Sequence, residues 1–225
     1  MRLYMAISQS SRHSRKKDLF RRMPAKCWQS KLRKPVGAGA NGPMGRLKKT
    51  VVMIGMMGAG KTAVGTALAR HLAVPFLDSD DEIVSAANRS IAEIFERDGE
   101  PFFRAREAEV LARLLRGTPC ILSTGGGAFL TEGNRQMIHD AGVSVWLRAD
   151  AELLWQRVRH KTTRPLLRTA NPRATLVALT TAREVFYASA DLVVDSDADF
   201  SVDQMAQRVA AALTTRHDVL ESDPL

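Results

Sequence analysis

The sequence predicts one three-layer α/β domain, a parallel sheet flanked by helices. Two observations carry that prediction: from Thr50 onward short apolar runs alternate with helical stretches, and the runs are rich in Val, Ile and Leu, as strands covered on both faces must be. Size agrees. With 225 residues, 45% of them apolar, the chain can bury the core of one such domain and has little room for a second.

Segment 1–48 is polar and unpatterned, ends in Pro35-Val-Gly-Ala-Gly-Ala-Asn-Gly-Pro43, and reads as a basic, disordered extension. Residues 1–49 hold 14 Lys and Arg against Asp18 alone, a balance of +13. The remainder holds 19 basic and 23 acidic residues, so the chain's +9 resides in the extension and the body is net acidic at −4. A nucleic-acid binder needs a basic folded face, which sets that class aside. The extension itself fits a solvated tail, upstream sequence ahead of a start at Met44, an Arg- and Ser-rich targeting peptide, or, least well, a nucleic-acid arm. With Cys27 in the extension and Cys120 alone in the body there is no disulfide framework, and no apolar run reaches the length of a membrane span. A soluble cytoplasmic protein with no membrane partner is the expectation.

The domain, 49–213, begins with strand Val51 to Ile54 and helix Thr62 to His71. Strand Pro75 to Leu77 precedes helices at about Asp81 to Ala87, Ile91 to Glu96 and Arg104 to Leu115, with Ser90 and Glu93 spaced as a capping box. Strand Cys120 to Leu122, helix Arg135 to Asp140, strand Val143 to Leu147 and helix Ala151 to Arg159 follow. Pro165 stops helical continuation, so 157–172 reads as a lid segment. Helix Ala174 to Ala188, strand Leu192 to Val194 and helix Val202 to Leu213, opened by a second capping box at Ser201 and Gln204, complete five strands. The polar tail 214–225 is expected to fray.

Gly55-Met-Met-Gly58-Ala59-Gly60-Lys61-Thr62 lies directly after an apolar strand and before an amphipathic helix, the context of a phosphate loop. Its glycines let backbone N–H groups from Gly58 to Ala63 converge on phosphate oxygens at the helix N-terminus. Lys61 then brings a cation to the β and γ phosphates of ATP, and the Thr62 hydroxyl is placed for Mg²⁺. The strand at Cys120 ends without the acid that often supports the metal, so that role falls to Asp78.

Asp78 and Asp80 occupy alternate positions, and an extended segment would point both into one cleft. One could serve the metal and the other an acceptor hydroxyl whose proton it receives; equally, the pair could merely favour the start of the next helix. Gly125-Gly126-Gly127 offers backbone N–H groups to a small ligand or a tight turn to the chain. Arg104 and Arg183 could each fork onto a carboxylate or stand as solvated charges. Arg164, in Arg164-Pro-Leu-Leu167, could bring positive charge to a transferring phosphoryl group as the lid closes, or belong to an exposed basic loop.

In order along the chain, the phosphate loop, Phe76-x-Asp78-x-Asp80, Gly99-Glu100 with Phe103-Arg104, the glycine triplet, Arg164-Pro-Leu-Leu167 and Arg183 ahead of Tyr187 resemble the shikimate kinase family. The resemblance implies a P-loop kinase fold of nucleoside-monophosphate-kinase type, with a five-stranded parallel sheet and a mobile lid. It implies transfer of the ATP γ-phosphate to the 3-hydroxyl of shikimate, a step of chorismate and aromatic amino acid biosynthesis, by a monomer. Asp80 would hold that hydroxyl, Arg104, Arg183 and Gly126 or Gly127 the carboxylate and ring hydroxyls, and Asp78 the Mg²⁺. Arg164 would be the lid cation and Arg157 the arginine near adenine. Val185 and Ser189 stand where many members have Pro and Glu. Gluconate or a nucleotide is the alternative acceptor, though a nucleotide phosphate would be a poor neighbour for Asp80. A non-catalytic relative would be expected to lack Lys61, Asp80 or Arg164, and all three are present.

Overall fold

A computed structural model describes residues 46–160 and 165–221. Arg164, the extension before Arg46 and the last four residues therefore lie outside the described residues.

Strand β1 (Arg46–Leu47) leads into β2 (Thr50–Ile54), and helix α1 (Lys61–His71) follows the phosphate loop. Next come β3 (Phe76–Asp78), α2 (Ser79–Ala87), α3 (Ile91–Asp98), α4 (Glu100–Leu115) and β4 (Ile121–Ser123). A 3₁₀ turn (Ala128–Leu130), α5 (Glu132–Ala141), β5 (Gly142–Arg148) and α6 (Ala151–Val158) lead to the undescribed stretch. A second 3₁₀ turn (Pro165–Leu167), α7 (Pro172–Tyr187), β6 (Leu192–Asp195), α8 (Val202–Leu213) and β7 (Leu220–Glu221) complete the order.

Five strands form one parallel sheet in the order β3-β4-β2-β5-β6. Central β2 is buried at every residue, because helices cover both faces; this is why Val51-Val-Met-Ile54 reads as an unbroken apolar run rather than an alternating one. Edge strand β6 is buried only at Val194. The core runs through Val52, Leu68, Leu111, Leu122, Val145 and Val209. Local chemistry sets the helix starts: Ser90 with Glu93 and Ser201 with Gln204 form both expected capping boxes, and Asp150 and Asn171 cap α6 and α7.

The ends of the domain depart from expectation. Residues 46–48 were expected to be disordered and the tail after Leu213 to fray, but β1 pairs antiparallel with β7, joining Leu47 to Leu220 and Arg46 to Glu221. The cause is apolar burial within polar sequence: Leu47, Val219 and Leu220 are all buried. Lys49 adds an ion pair to Asp218 at 2.8 Å, and the Lys48 N–H donates to the Val219 carbonyl at 2.7 Å.

Candidate active site

Every loop that follows a parallel strand opens at the same sheet edge, where ligands of such sheets collect. The loop after β2 packs there against α6, and Gly60, at φ 94°, holds a left-handed conformation that turns the chain into α1. An open cavity of about 460 Å³ begins at this loop and is lined by Gly58, Ala59, Gly60, Lys61, Thr62 and Ala63. Lys61 is buried and its Nζ donates to the carbonyls of Gly55 (2.9 Å) and Met56 (3.0 Å), which curls the side chain back over its own loop.

Thr62 Oγ1 donates to Asp78 Oδ2 at 3.1 Å and lies 3.3 Å from Ser123 Oγ. Three oxygen-bearing side chains therefore meet at the ends of β3 and β4 and the start of α1. Oxygen donors with one carboxylate among them suit Mg²⁺, which keeps several waters and takes its remaining ligands from phosphate. Ser123 occupies the strand end where an acid was found missing in the sequence; a hydroxyl at that position was the available signal.

Asp78 and Asp80 both line the cavity, but not through an extended segment. Strand β3 stops at Asp78, whose Oδ1 caps α2 by accepting from the Asp80 N–H at 3.0 Å. The helix start turns the Asp80 carboxyl into the cleft, so helix capping and delivery to the site are one arrangement. Burial, with Asp78 and then Glu107 nearby, pushes the Asp80 pKa up to about 6, against a smaller downward pull from Lys61.

At Gly127 a side chain would displace a neighbour. A Cβ there would lie 2.6 Å from both terminal nitrogens of Arg104. Arg104 is held in that position from its own helix: Nη1 donates to Glu107 Oε2 at 2.8 Å and Nη2 to Glu100 Oε1 at 3.1 Å. Glu107 is buried, which raises its pKa, and Arg104 opposes that rise. The sequence reading passed over Glu107, although its position three residues after Arg104 on one helix face was the signal.

Gly126 lines the cavity beside the phosphate loop, and Arg183 reaches it from α7, with Nη1 3.5 Å from the Gly126 carbonyl. On the opposite flank Arg157 donates to Ser196 Oγ (3.1 Å) and to the Asp197 carbonyl (3.3 Å), so it lines the cavity while Arg159 is exposed. Ser196, Phe200, Val202 and Met205, on and before α8, close this flank. None of these was a sequence candidate; each is an ordinary residue until β6 and α8 bring it to the loop. Arg164 lies outside the described residues.

The family model for shikimate kinase matches residues 57–214. The chain belongs to the shikimate kinase family. It is 72% identical to the shikimate kinase of Cereibacter sphaeroides over 80% of this chain and 90% of that one, and 69% identical to that of Ruegeria pomeroyi over 80% and 93%. Among solved structures, shikimate kinase from Acinetobacter baumannii in complex with shikimate matches with TM-score 0.71 at 36% identity, over 74% of this chain and 93% of that one. A gluconokinase from Sinorhizobium meliloti, at 15% identity and TM-score 0.51 over 76% and 94%, shares the fold alone. Membership in this kinase family agrees with a cavity that places a phosphate loop beside the Asp80 carboxyl and Gly126; Arg183 and Arg104 do not line that cavity but stand behind its glycines, against Gly126 and Gly127. Among the described residues, no helix is long and apolar enough to cross a membrane.

Proposed function

We propose that this chain transfers the γ-phosphoryl group of ATP to the 3-hydroxyl of shikimate, giving shikimate 3-phosphate and ADP. The observation that carries the reading is the shared cavity, in which Asp80 faces the same space as Lys61 and the glycines of the phosphate loop. Family membership supplies shikimate as the acceptor.

In this reading the N–H groups from Gly58 to Ala63 and the α1 N-terminus receive the phosphates of ATP. Lys61 releases the loop carbonyls and turns to the β and γ oxygens, which attract its charge more strongly than neutral carbonyls do. Thr62 and Asp78, with Ser123 beside them, would hold Mg²⁺. Bound there, the ion would supply positive charge to the phosphate oxygens. Arg157 flanks the adenine, and Arg164 is proposed as the cation of the lid.

On the acceptor side, Arg104 and Arg183 take the shikimate carboxylate, and Gly126 and Gly127 lie against its ring. Asp80 orients the 3-hydroxyl and accepts its proton. A pKa of about 6 leaves Asp80 ionised at neutral pH yet more basic than an ordinary carboxylate, which suits a proton acceptor.

Turnover of Mg-ATP with shikimate, gluconate and nucleoside monophosphates in parallel tests the proposal. ADP formation that depends on shikimate alone is expected; formation indifferent to shikimate would sink it.

A further inference from the structure

We infer that Tyr187 is a positioning residue for the acceptor half of the cleft, acting through the Gly126–Gly127 peptide; this rests on the reading of the cleft given above. Tyr187 ends α7 and is fully buried, with its ring 5.9 Å from that of Trp146. Its hydroxyl donates to the Gly126 carbonyl at 2.6 Å and lies 3.9 Å from Met56 Sδ in the phosphate loop. Burial raises the phenol pKa, so the group stays a donor.

The surrounding bonds isolate this contact. The carbonyls of Gly125 and Gly127 accept from the N–H groups of Ala128 and Leu130, three residues on in each case. Asn134 Nδ2 takes the Ala128 carbonyl at 2.9 Å, and Arg135 Nη1, with its guanidinium over the Phe186 ring, takes those of Phe129 (3.0 Å) and Leu130 (2.8 Å). Among the described residues, the Gly126 carbonyl is the one in this loop that accepts directly from α7 side chains, from Tyr187 and, at the longer distance of 3.5 Å, from Arg183.

The described peptides are all trans, so the C=O of Gly126 and the N–H of Gly127 point in opposite directions. Holding the carbonyl on α7 therefore directs the Gly127 N–H away from that helix. Among the described residues nothing accepts from the N–H groups of Gly126 or Gly127, which leaves both for a ligand. The hydroxyl also leaves Arg183, one helical turn earlier, free to turn from the carbonyl to an incoming carboxylate.

Tyr187→Phe removes the hydroxyl and keeps the buried ring. In the full chain, the KM for shikimate should rise about five-fold, the worth of one ordinary hydrogen bond. KM for ATP should stay within about two-fold, and kcat should fall by less than the shikimate KM rises. The same kinetics in trimethylamine N-oxide, which favours folded states, separate positioning from loosened structure. A shift that persists in the osmolyte supports the inference. A shift that vanishes there, a parallel rise in both KM values, or an unmoved shikimate KM overturns it. Wild-type turnover that does not require shikimate would instead sink the reading of the cleft, and this inference with it.

Discussion

The two halves of the cleft are assembled differently. In the proposed reading, the nucleotide half would take its phosphate contacts from six consecutive residues, Gly58 to Ala63, where the chain turns from β2 into α1. The acceptor half would take Asp80, Arg104, Gly126 and Arg183 from four separated segments, and side chains hold its parts in place: Glu100 and Glu107 bind Arg104, and the Tyr187 hydroxyl donates to the Gly126 carbonyl. Backbone-built recognition changes little when a side chain is replaced. Recognition built from charged side chains in mutual contact fails by parts, so substitutions on the acceptor side should separate binding of one substrate from binding of the other.

Asp80→Asn should have the largest effect, because it removes the proposed proton acceptor and changes little in shape. A loss of about 10²–10³ in kcat is expected, with ATP affinity measured by calorimetry nearly unchanged. The wild-type pH profile of kcat/KM should fall about tenfold per unit below the raised pKa of about 6, as Asp80 becomes protonated. Stability should run the other way. A carboxyl with a raised folded pKa binds its proton more tightly when folded, so its contribution declines as pH rises from about 4 to about 6 and stays lost above that. The neutral amide escapes this penalty, and the variant should melt about 2–4 °C higher at neutral pH. An active variant, or one with an unmoved pH limb, would remove Asp80 from its proposed role.

Next in size comes a mirror-image pair. Gly127→Ala forces the Arg104 guanidinium from its place, since the new methyl would lie 2.6 Å from it. About a ten-fold rise in the shikimate KM is expected, with the ATP KM unmoved, because one charge-assisted contact weakens. Arg157→Ala removes the bonds to Ser196 and Asp197 on the opposite flank, and should raise the ATP KM about five-fold while sparing shikimate. Steady-state kinetics with each substrate varied in turn check both; crossed effects would mean that the halves are not separable.

The same contrast explains what could be read in the sequence. The phosphate loop was legible because strand, glycines, Lys61 and helix are contiguous, and the five strands because each is a short apolar run. Asp78 and Asp80 could be placed at the cleft, but not the means: a two-residue offset fits both a continued strand and a capped helix, and only the folded chain distinguishes them. Glu107 was hidden among other helix acids, since its importance arises from burial against Arg104. Ser196 and Asp197 meet Arg157 across about 40 residues, and no local pattern records such a contact. The β1–β7 pairing was missed for a related reason: Leu47 and Leu220 lie in polar surroundings at opposite ends of the domain, and neither forms a periodic run.

That pairing supplies the smallest catalytic effect and the control the others need. Leu220 is buried against the rest of the core and does not line the cleft, and Leu220→Ala removes apolar contact without removing a charge. Such a truncation costs about 3 kcal/mol in a core, or about 6–12 °C of melting temperature in a domain of this size. Below the lowered melting point, both KM values should remain within about two-fold of wild type. If so, lost stability alone does not shift substrate affinity, and the selective changes expected for Gly127→Ala and Arg157→Ala belong to the two halves of the cleft. If instead Leu220→Ala raises either KM several-fold, the cleft is sensitive to the tightness of the whole domain. Selectivity between substrates, rather than the size of any one change, would then be the only valid sign that a residue acts locally.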